Sequence, residues 1–363
     1  MVHKGEAVER RFFELKGWNF PDFMLIRSQI HSLMKKRIAL VTGGFTGESV
    51  ISLKSAAVVD AILDRDRYDV FKILIYPGNW YHPTESGEQI PVDLNDFSIT
   101  IGDEKTTFDG VFNILHGSPG EDGKLAGYFD MIGLPYTTCD ALTSAITMNK
   151  GYTKAIVQDI PELFVARSVQ LFEQTPENET RILKELRLPL FIKPNNGGSS
   201  IGMSKVKDPS ELSEALEKAF AEDKQVLVEE FISGREFSIG VFKSRGEITV
   251  LPATEIVSSK EFFDFEAKYQ PGITEEITPG RMSEEEVARV NRIIEQVYQK
   301  LNCKGAVRID YFLEYETGKF YFVEINTVPG QTETSLISQQ VRAIGMEVKD
   351  FYNLLLDELW DED

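Results

Sequence analysis

After Met34 the sequence repeats one order: an apolar strand-like run, a glycine turn, an amphipathic stretch, and another apolar run. The first run is "RIALVTGG" at 37–44, and "SVISLKSAAVVDAILDRD" follows at 49–66 with helical spacing at Val50, Leu53, Ala57 and Ile62. "VFKILIYPG" at 70–78 and "GVFNILHGSPGEDG" at 110–123 come next. Strand, turn, helix, strand is the signature of a parallel α/β sheet. Ligands of such sheets sit at the carboxyl ends of the strands, where Gly43-Gly44 and His116-Gly117 fall.

A second unit begins near Cys139. It holds a helical stretch around 140–158, a strand at 163–171, and "FIKPNNGGSSIGMSKV" at 191–206. That last stretch reads as two strands with a glycine-rich tip, the strand resuming at Ile201. Its backbone N–H groups can turn toward an anion, and Lys193 stands on the strand before it. It matches neither a Walker A loop nor GxGxxG, and an ordinary hairpin turn is the rival reading. Asp208, Pro209 and Glu211 form a capping box for a helix at 209–221. "QVLVEEFISG" at 225–234 then leads into a strand-rich third unit. A long helix near 284–301 interrupts it, with Val287, Val290, Ile294, Val297 and Leu301 on one face, and 258–277 reads as a long irregular loop.

The third unit carries the most informative constellation, "AVRIDYFLEYETGKFYFVEINTVPG" at 306–330. Folding this hairpin about Thr317 places Asp310 opposite Glu324 and Arg308 opposite Asn326. All four then share one face, while Ile309, Val323 and Ile325 point into a core. Two opposed carboxylates destabilise a hairpin unless something offsets them. A divalent cation would, and Asp, Glu and Asn oxygens suit Mg²⁺ beside phosphates. Arg308 suits a developing oxyanion. A solvated charged face or a plain Arg–carboxylate salt bridge is the alternative.

The net charge of −19 argues against nonspecific binding to nucleic acid or an anionic membrane surface. No run approaches the ~18 apolar residues of a membrane span. Cys139 and Cys303 lack CxxC spacing and read as buried free thiols of a reducing cytosol. Residues 1–33 lack an apolar signal-peptide region. They read as a weakly packed extension, with Met34 the favoured start and a genuine N-terminal arm the alternative.

The ordered motifs "HGSPGEDGKLAGYFDMIGLPYT", "MNK", "IKPNNGGSSIGMSKV", "EFFDFEAKY", "RIDYF" and "VEINTVPGQTETS" resemble the D-alanine–D-alanine ligases of the ATP-grasp superfamily. The resemblance covers about 34–360. It implies a Rossmann-like parallel-sheet domain at 34–138, followed by a two-lobed ATP-grasp fold with a central lobe at 139–228 and a C-terminal lobe at 229–360. It implies a cytoplasmic enzyme that joins two D-alanines through a D-alanyl phosphate for peptidoglycan. ATP is consumed with two Mg²⁺ or Mn²⁺ ions, and a homodimer is the family expectation.

Carried over by residue, Lys150 and Lys193 would bind phosphate, Glu229, Glu230, Phe231 and Ile232 adenine, and Glu236 ribose. Asp310, Glu324 and Asn326 would be the metal ligands. Arg308 and the Gly330 N–H would stabilise the tetrahedral intermediate, and Ser335 would bind the second substrate's carboxylate. Ser199 lies in the flap, and Lys268 and Tyr269 in a closing loop, where Tyr269 favours D-alanine over D-lactate as acceptor. His116 lines the first subsite or is a satisfied structural histidine. One position departs: Val50 stands where the family commonly has a glutamate for the first ammonium. Glu48 lies about 200° round the helix from it and either reaches the substrate or stabilises the helix N-terminus. The departure leaves open a ligase for another substrate, of D-alanyl-D-lactate type, or a silent ATP-binding protein.

Overall fold

The structure, a computed structural model, describes residues 35–198, 201–258 and 274–360. The extension at 1–33 and the expected site residues Ser199, Lys268 and Tyr269 lie outside them. Three sheets organise the described residues.

In the first, Lys36–Gly43 pairs in parallel with both Tyr68–Tyr76 and Gly110–Asn113. The apolar runs explain this core: Ile38, Ala39, Leu40 and Val41 are all fully buried, as strands covered on both faces must be. The sheet is not wholly parallel. Asn79–Pro83, Gln89–Asp93, Ser98–Ile101 and Glu104–Thr106 extend it as an antiparallel meander. These strands are short and exposed on one side, so they leave no long apolar run to read.

The helix that follows the first strand runs from Ser49 to Ile62 and corrects the expected face. It buries Ser52, Ser55, Ala56 and Val59, while Val50 and Leu53 are exposed. The reason is polar. Ser52 Oγ accepts from the His116 N–H at 2.9 Å, and Ser55 Oγ accepts from the Gln331 N–H at 3.2 Å. The inward face anchors two loops through hydroxyls, which apolar periodicity does not register.

The second sheet is antiparallel, in the order Ser204–Val206, Leu190–Pro194, Val226–Glu230, Ser168–Leu171. The glycine-rich stretch does join two paired strands, Leu190 opposite Val206. The return strand starts at Ser204, and Ile201-Gly202 still belong to the turn. The expected strand at 163–171 is two strands in two sheets, since Leu163–Phe164 pairs with Phe320–Tyr321 instead. The helical stretch at 140–158 is likewise two helices, Ala141–Met148 and Lys150–Val157. Asn149 closes the first and caps the second, accepting from the Tyr152 N–H. The capping box of Asp208 and Glu211 is present, on a short 3-10 turn that runs into the helix Leu212–Phe220.

The third sheet runs Thr274–Ile277, Thr254–Ser258, Gly234–Ser244, Ala306–Glu314, Phe320–Asn326, Leu163–Phe164. The end of the expected irregular loop is therefore a strand paired with Glu255–Ser258. The helix Glu284–Lys300 covers this sheet through Val290, Ile293, Ile294 and Val297, and Val287 is exposed. Cys139 and Cys303 are free thiols buried in the same core. A separate apolar cluster joins Ile38, Leu40 and Val59 to Phe242, Ile337 and Phe351 near the C-terminus. That cluster packs the first strand of the parallel sheet toward Phe242 and Ala306 of the third sheet.

Candidate active site

The three sheets enclose a cavity of about 1060 Å³. Every site residue expected from the sequence and described here lines it.

The hairpin supplies the floor. Arg308 lies opposite Asn326 and Asp310 opposite Glu324, as folding about Thr317 requires. The path to that register differs. Nearer the turn Tyr311 pairs with Phe322, so a bulge at Val323 shifts the alternation by one residue. Phe322 therefore enters the core, and Val323 faces the cavity rather than the core.

Asp310 is held on several sides. Arg308 grips it with two hydrogen bonds of 3.0 Å, Ser238 Oγ donates at 2.5 Å, and Asn326 Nδ2 at 3.3 Å. Burial works against the Arg308 charge, but Asp310, Glu324 and Glu121 outweigh it and raise its pKa. Glu324 faces Lys150 at 3.3 Å. Asp310, Glu324 and Asn326 thus present oxygens from adjacent positions of paired strands, a donor set that suits a hard cation. The set has two acids, and among the described residues no group of three or more His, Cys, Asp or Glu converges. A cation here would complete its shell with ligand or water oxygens, as Mg²⁺ does beside phosphates.

The roof comes from the second sheet. Lys193 on Leu190–Pro194 and Glu229 on Val226–Glu230 are both buried. Lys193 Nζ lies 2.6 Å from Glu229 Oε2. Lys150 starts its helix against the base of the glycine-rich turn, donating from its backbone N–H to Asn195 O at 3.1 Å and from Nζ to Gly197 O. Glu230 turns its carboxylate to Arg187 at 3.0 Å, and Phe231 stacks under Lys205. Ile232 and Glu236 line the same wall.

The third wall is the strand-end loop of the parallel sheet. His116 Nδ1 donates to Val328 O at 2.7 Å, and Nε2 lies 3.3 Å from Ser55 Oγ. Burial pushes its pKa down to about 4 and the Arg308 charge adds to this, while the Val328 hydrogen bond opposes. His116 is therefore a neutral imidazole at pH 7. Ser335 Oγ accepts from the Thr332 N–H at 2.8 Å and packs beside Gly330 at the start of the helix Leu336–Ala343.

Glu48 is in the cavity and Val50 is not. A Cβ built on Gly117 would lie 2.7 Å from Glu48 Oε2, and one on Gly198 2.5 Å from Oε1. The carboxylate therefore sits between the strand-end turn and the glycine-rich turn. It makes no side-chain capping bond to its own helix. Val50 is 55% exposed.

Three further polar residues that line the cavity carry no role in the sequence analysis. Glu121 accepts from Gly117 N at 2.7 Å and Val328 N at 3.2 Å. Burial and the neighbouring Glu48 push its pKa up to about 8. Its signal was the acidic residue inside "HGSPGEDG". Ser238 carried no signal. Lys154 did: it lies one turn after Lys150, on the same helix face.

Two family models match the chain, described as the D-ala D-ala ligase N-terminus over residues 37–139 and the D-ala D-ala ligase C-terminus over 158–357. A D-alanine–D-alanine ligase of Parabacteroides distasonis is 43% identical over 327 residues, covering 90% of this chain and 98% of that protein. One from Flavobacterium johnsoniae is 43% identical, covering 87% of this chain and 97% of that protein. Among solved structures, the VanG D-Ala:D-Ser ligase of Enterococcus faecalis superposes with a TM-score of 0.81 at 32% identity, covering 89% of this chain and 99% of the other. The D-alanyl-alanine synthetase A of Vibrio cholerae gives 0.80 at 25% identity, covering 90% and 98%. With relatives of this name matched over most of its length, this mixed α/β chain is an ATP-dependent ligase. It belongs to the D-alanine–D-alanine ligase family.

Proposed function

We propose that this enzyme joins two D-alanines into D-alanyl-D-alanine through a D-alanyl phosphate, for peptidoglycan precursor synthesis. The observation that carries the reading is Arg308, Asp310, Glu324 and Asn326 on one hairpin face, with Lys150 and Lys193 in the same cavity. The fold is read as a Rossmann-like domain at 34–138, then a central ATP-grasp lobe at 139–228 and a C-terminal lobe at 229–360. No helix among the described residues is long and apolar enough to cross a membrane. We place the enzyme in the cytoplasm, as a homodimer, with no nucleic-acid partner.

ATP first gives its γ-phosphoryl group to the carboxylate of one D-alanine, and ADP forms. The amine of the second D-alanine then attacks the acyl carbon, a proton is lost from nitrogen, and phosphate leaves. Phosphoryl transfer needs positioning and charge neutralisation above all. Lys150 and Lys193 hold phosphate oxygens, Glu229 to Ile232 face the adenine, and Glu236 the ribose. Asp310, Glu324 and Asn326 would hold Mg²⁺ or Mn²⁺, two ions on this reading, and the bound ions would neutralise phosphate charge. Arg308 and the Gly330 N–H face the oxyanion of the tetrahedral intermediate. Ser335 holds the second carboxylate, and neutral His116 lines the first subsite.

Glu48 takes the first D-alanine's ammonium. Glu48→Gln is expected to raise KM for the first D-alanine about tenfold, the size of one lost charge-assisted contact. KM for ATP should stay near its original value, and Val50→Ala should change neither. A Glu48→Gln enzyme with unaltered D-alanine kinetics would reject the assignment.

The test of the whole reading is Mg²⁺-dependent ADP release with and without D-alanine, with the product identified by mass. D-Serine and D-lactate serve as alternative acceptors. D-Alanine-dependent release with dipeptide formed is the expected result. Release only with D-serine or D-lactate would move the second substrate, and ATP binding with no release would leave a silent nucleotide-binding protein.

A further inference from the structure

Three charged side chains at the roof of the cavity form a chain of contacts with one charge in excess. Glu229 Oε1 accepts from Lys154 Nζ, and Glu229 Oε2 faces Lys193 Nζ at 2.6 Å. All three residues are at least 96% buried and all line the cavity. They come from three elements: the helix Lys150–Val157, the strand Leu190–Pro194 and the strand Val226–Glu230. A buried ion pair normally closes one to one, because an unmatched buried charge is strongly destabilising. Two ammonium groups on one carboxylate leave one positive charge in excess among these three, with Glu324 of the same cavity adding a weaker pull on Lys154.

Both ends of the Lys154 contact are charged at neutral pH. Burial pulls the Lys154 ammonium down to about 8, with Glu229 opposing and Lys193 adding to the fall. Burial pushes Glu229 up, but Lys154 and Lys193 outweigh it and hold the carboxylate at about 2.

We infer that Lys154 is a positioning residue for the nucleotide: it shares the Glu229 carboxylate with Lys193 and so leaves Lys193 charge to offer to a phosphate. The inference rests on the reading of this cavity as an ATP site. Without Lys154, Glu229 and Lys193 form a neutral pair. Each phosphate contact by Lys193 must then be made against the full pull of Glu229. With Lys154 in place that pull is divided, and Lys193 can turn to a polyanion without leaving a buried carboxylate unpartnered. Lys154 acts through Glu229 and not on the phosphate directly.

A double-mutant cycle separates this role from packing and from direct attraction. Equilibrium binding of β,γ-methylene ATP with Mg²⁺ is measured for the parent enzyme, Lys154→Met, Glu229→Gln and the double variant. Lys154→Met is expected to weaken binding about tenfold in the parent, the scale of one charge-assisted hydrogen bond. In the Glu229→Gln background the same change is expected to cost about twofold or less, because no carboxylate remains to be shared. Lys154→Arg should bind nearly as the parent does. Equal losses in both backgrounds, or no loss in the parent, overturn the inference while leaving the ATP site standing. Failure of the parent to bind the analogue overturns the site reading and the inference with it. Thermal melts check folding, and if Lys154→Met does not fold, Lys154→Gln enters the same cycle.

Discussion

Arg308→Ala is expected to lower the rate of dipeptide formation by about 10³-fold or more, with nucleotide binding changed by about threefold at most. The size follows from where the charge sits. Asp310, Glu324 and Glu121 keep the guanidinium ionised despite its burial. In a low-dielectric cavity, a fixed charge aimed at a developing oxyanion needs no reorganisation when the charge appears, and removing one such donor costs about 10²–10³ in rate. Loss of the fork also frees Asp310 of two of its hydrogen bonds, which adds to the defect. The fold should survive, because Ser238 and Asn326 still hold Asp310. Arg308→Lys should recover only part of the rate, since an ammonium cannot reproduce the planar fork. The measurements are single-turnover rates at saturating ATP and D-alanine, with a thermal melt. Near-normal turnover in a folded Arg308→Ala enzyme would remove Arg308 from the chemistry.

Much of this site was legible because strand geometry is periodic and local. Once a turn at 316–318 is read, the facing of Arg308 with Asn326 and Asp310 with Glu324 follows from counting. Even so, the count survived through a bulge: the strands pair one residue out of that register near the turn, and Val323 absorbs the difference. Glu48 was harder. An ideal helix puts positions 48 and 50 on different sides. Glu48 precedes the helix proper, so its side chain follows the turn that carries it into the cavity. The buried face of Ser49–Ile62 was not legible at all from hydropathy. Ser52 and Ser55 point inward because loops distant in sequence, at His116 and Gln331, need partners for their N–H groups. The same holds for Ser238, whose neighbour Asp310 is 72 residues away in sequence. Long-range hydrogen bonds leave no periodic trace in the chain that makes them.

Glu324→Gln tests the other half of the reading, and a loss of at least about 100-fold in turnover is expected, since even outer-shell partners of a metal cost 10–100-fold when lost. Glutamine keeps the shape of the side chain and can still accept a hydrogen bond from Lys150, which lies 3.3 Å from Glu324. What changes is one negative charge in the donor set. Asp310 and Asn326 would then hold a divalent cation with a single carboxylate, so the Mg²⁺ concentration for half-maximal rate should rise about tenfold or more. Stability should change little, because the substitution also relieves the repulsion between the opposed carboxylates of Asp310 and Glu324. The decisive readout is therefore the metal titration, not the melt. A charge role in metal binding predicts a shifted Mg²⁺ dependence that high Mg²⁺ partly restores. If Glu324 only holds Lys150 in place, the Mg²⁺ dependence stays put and KM for ATP rises instead. That second result would move the metal away from this hairpin face.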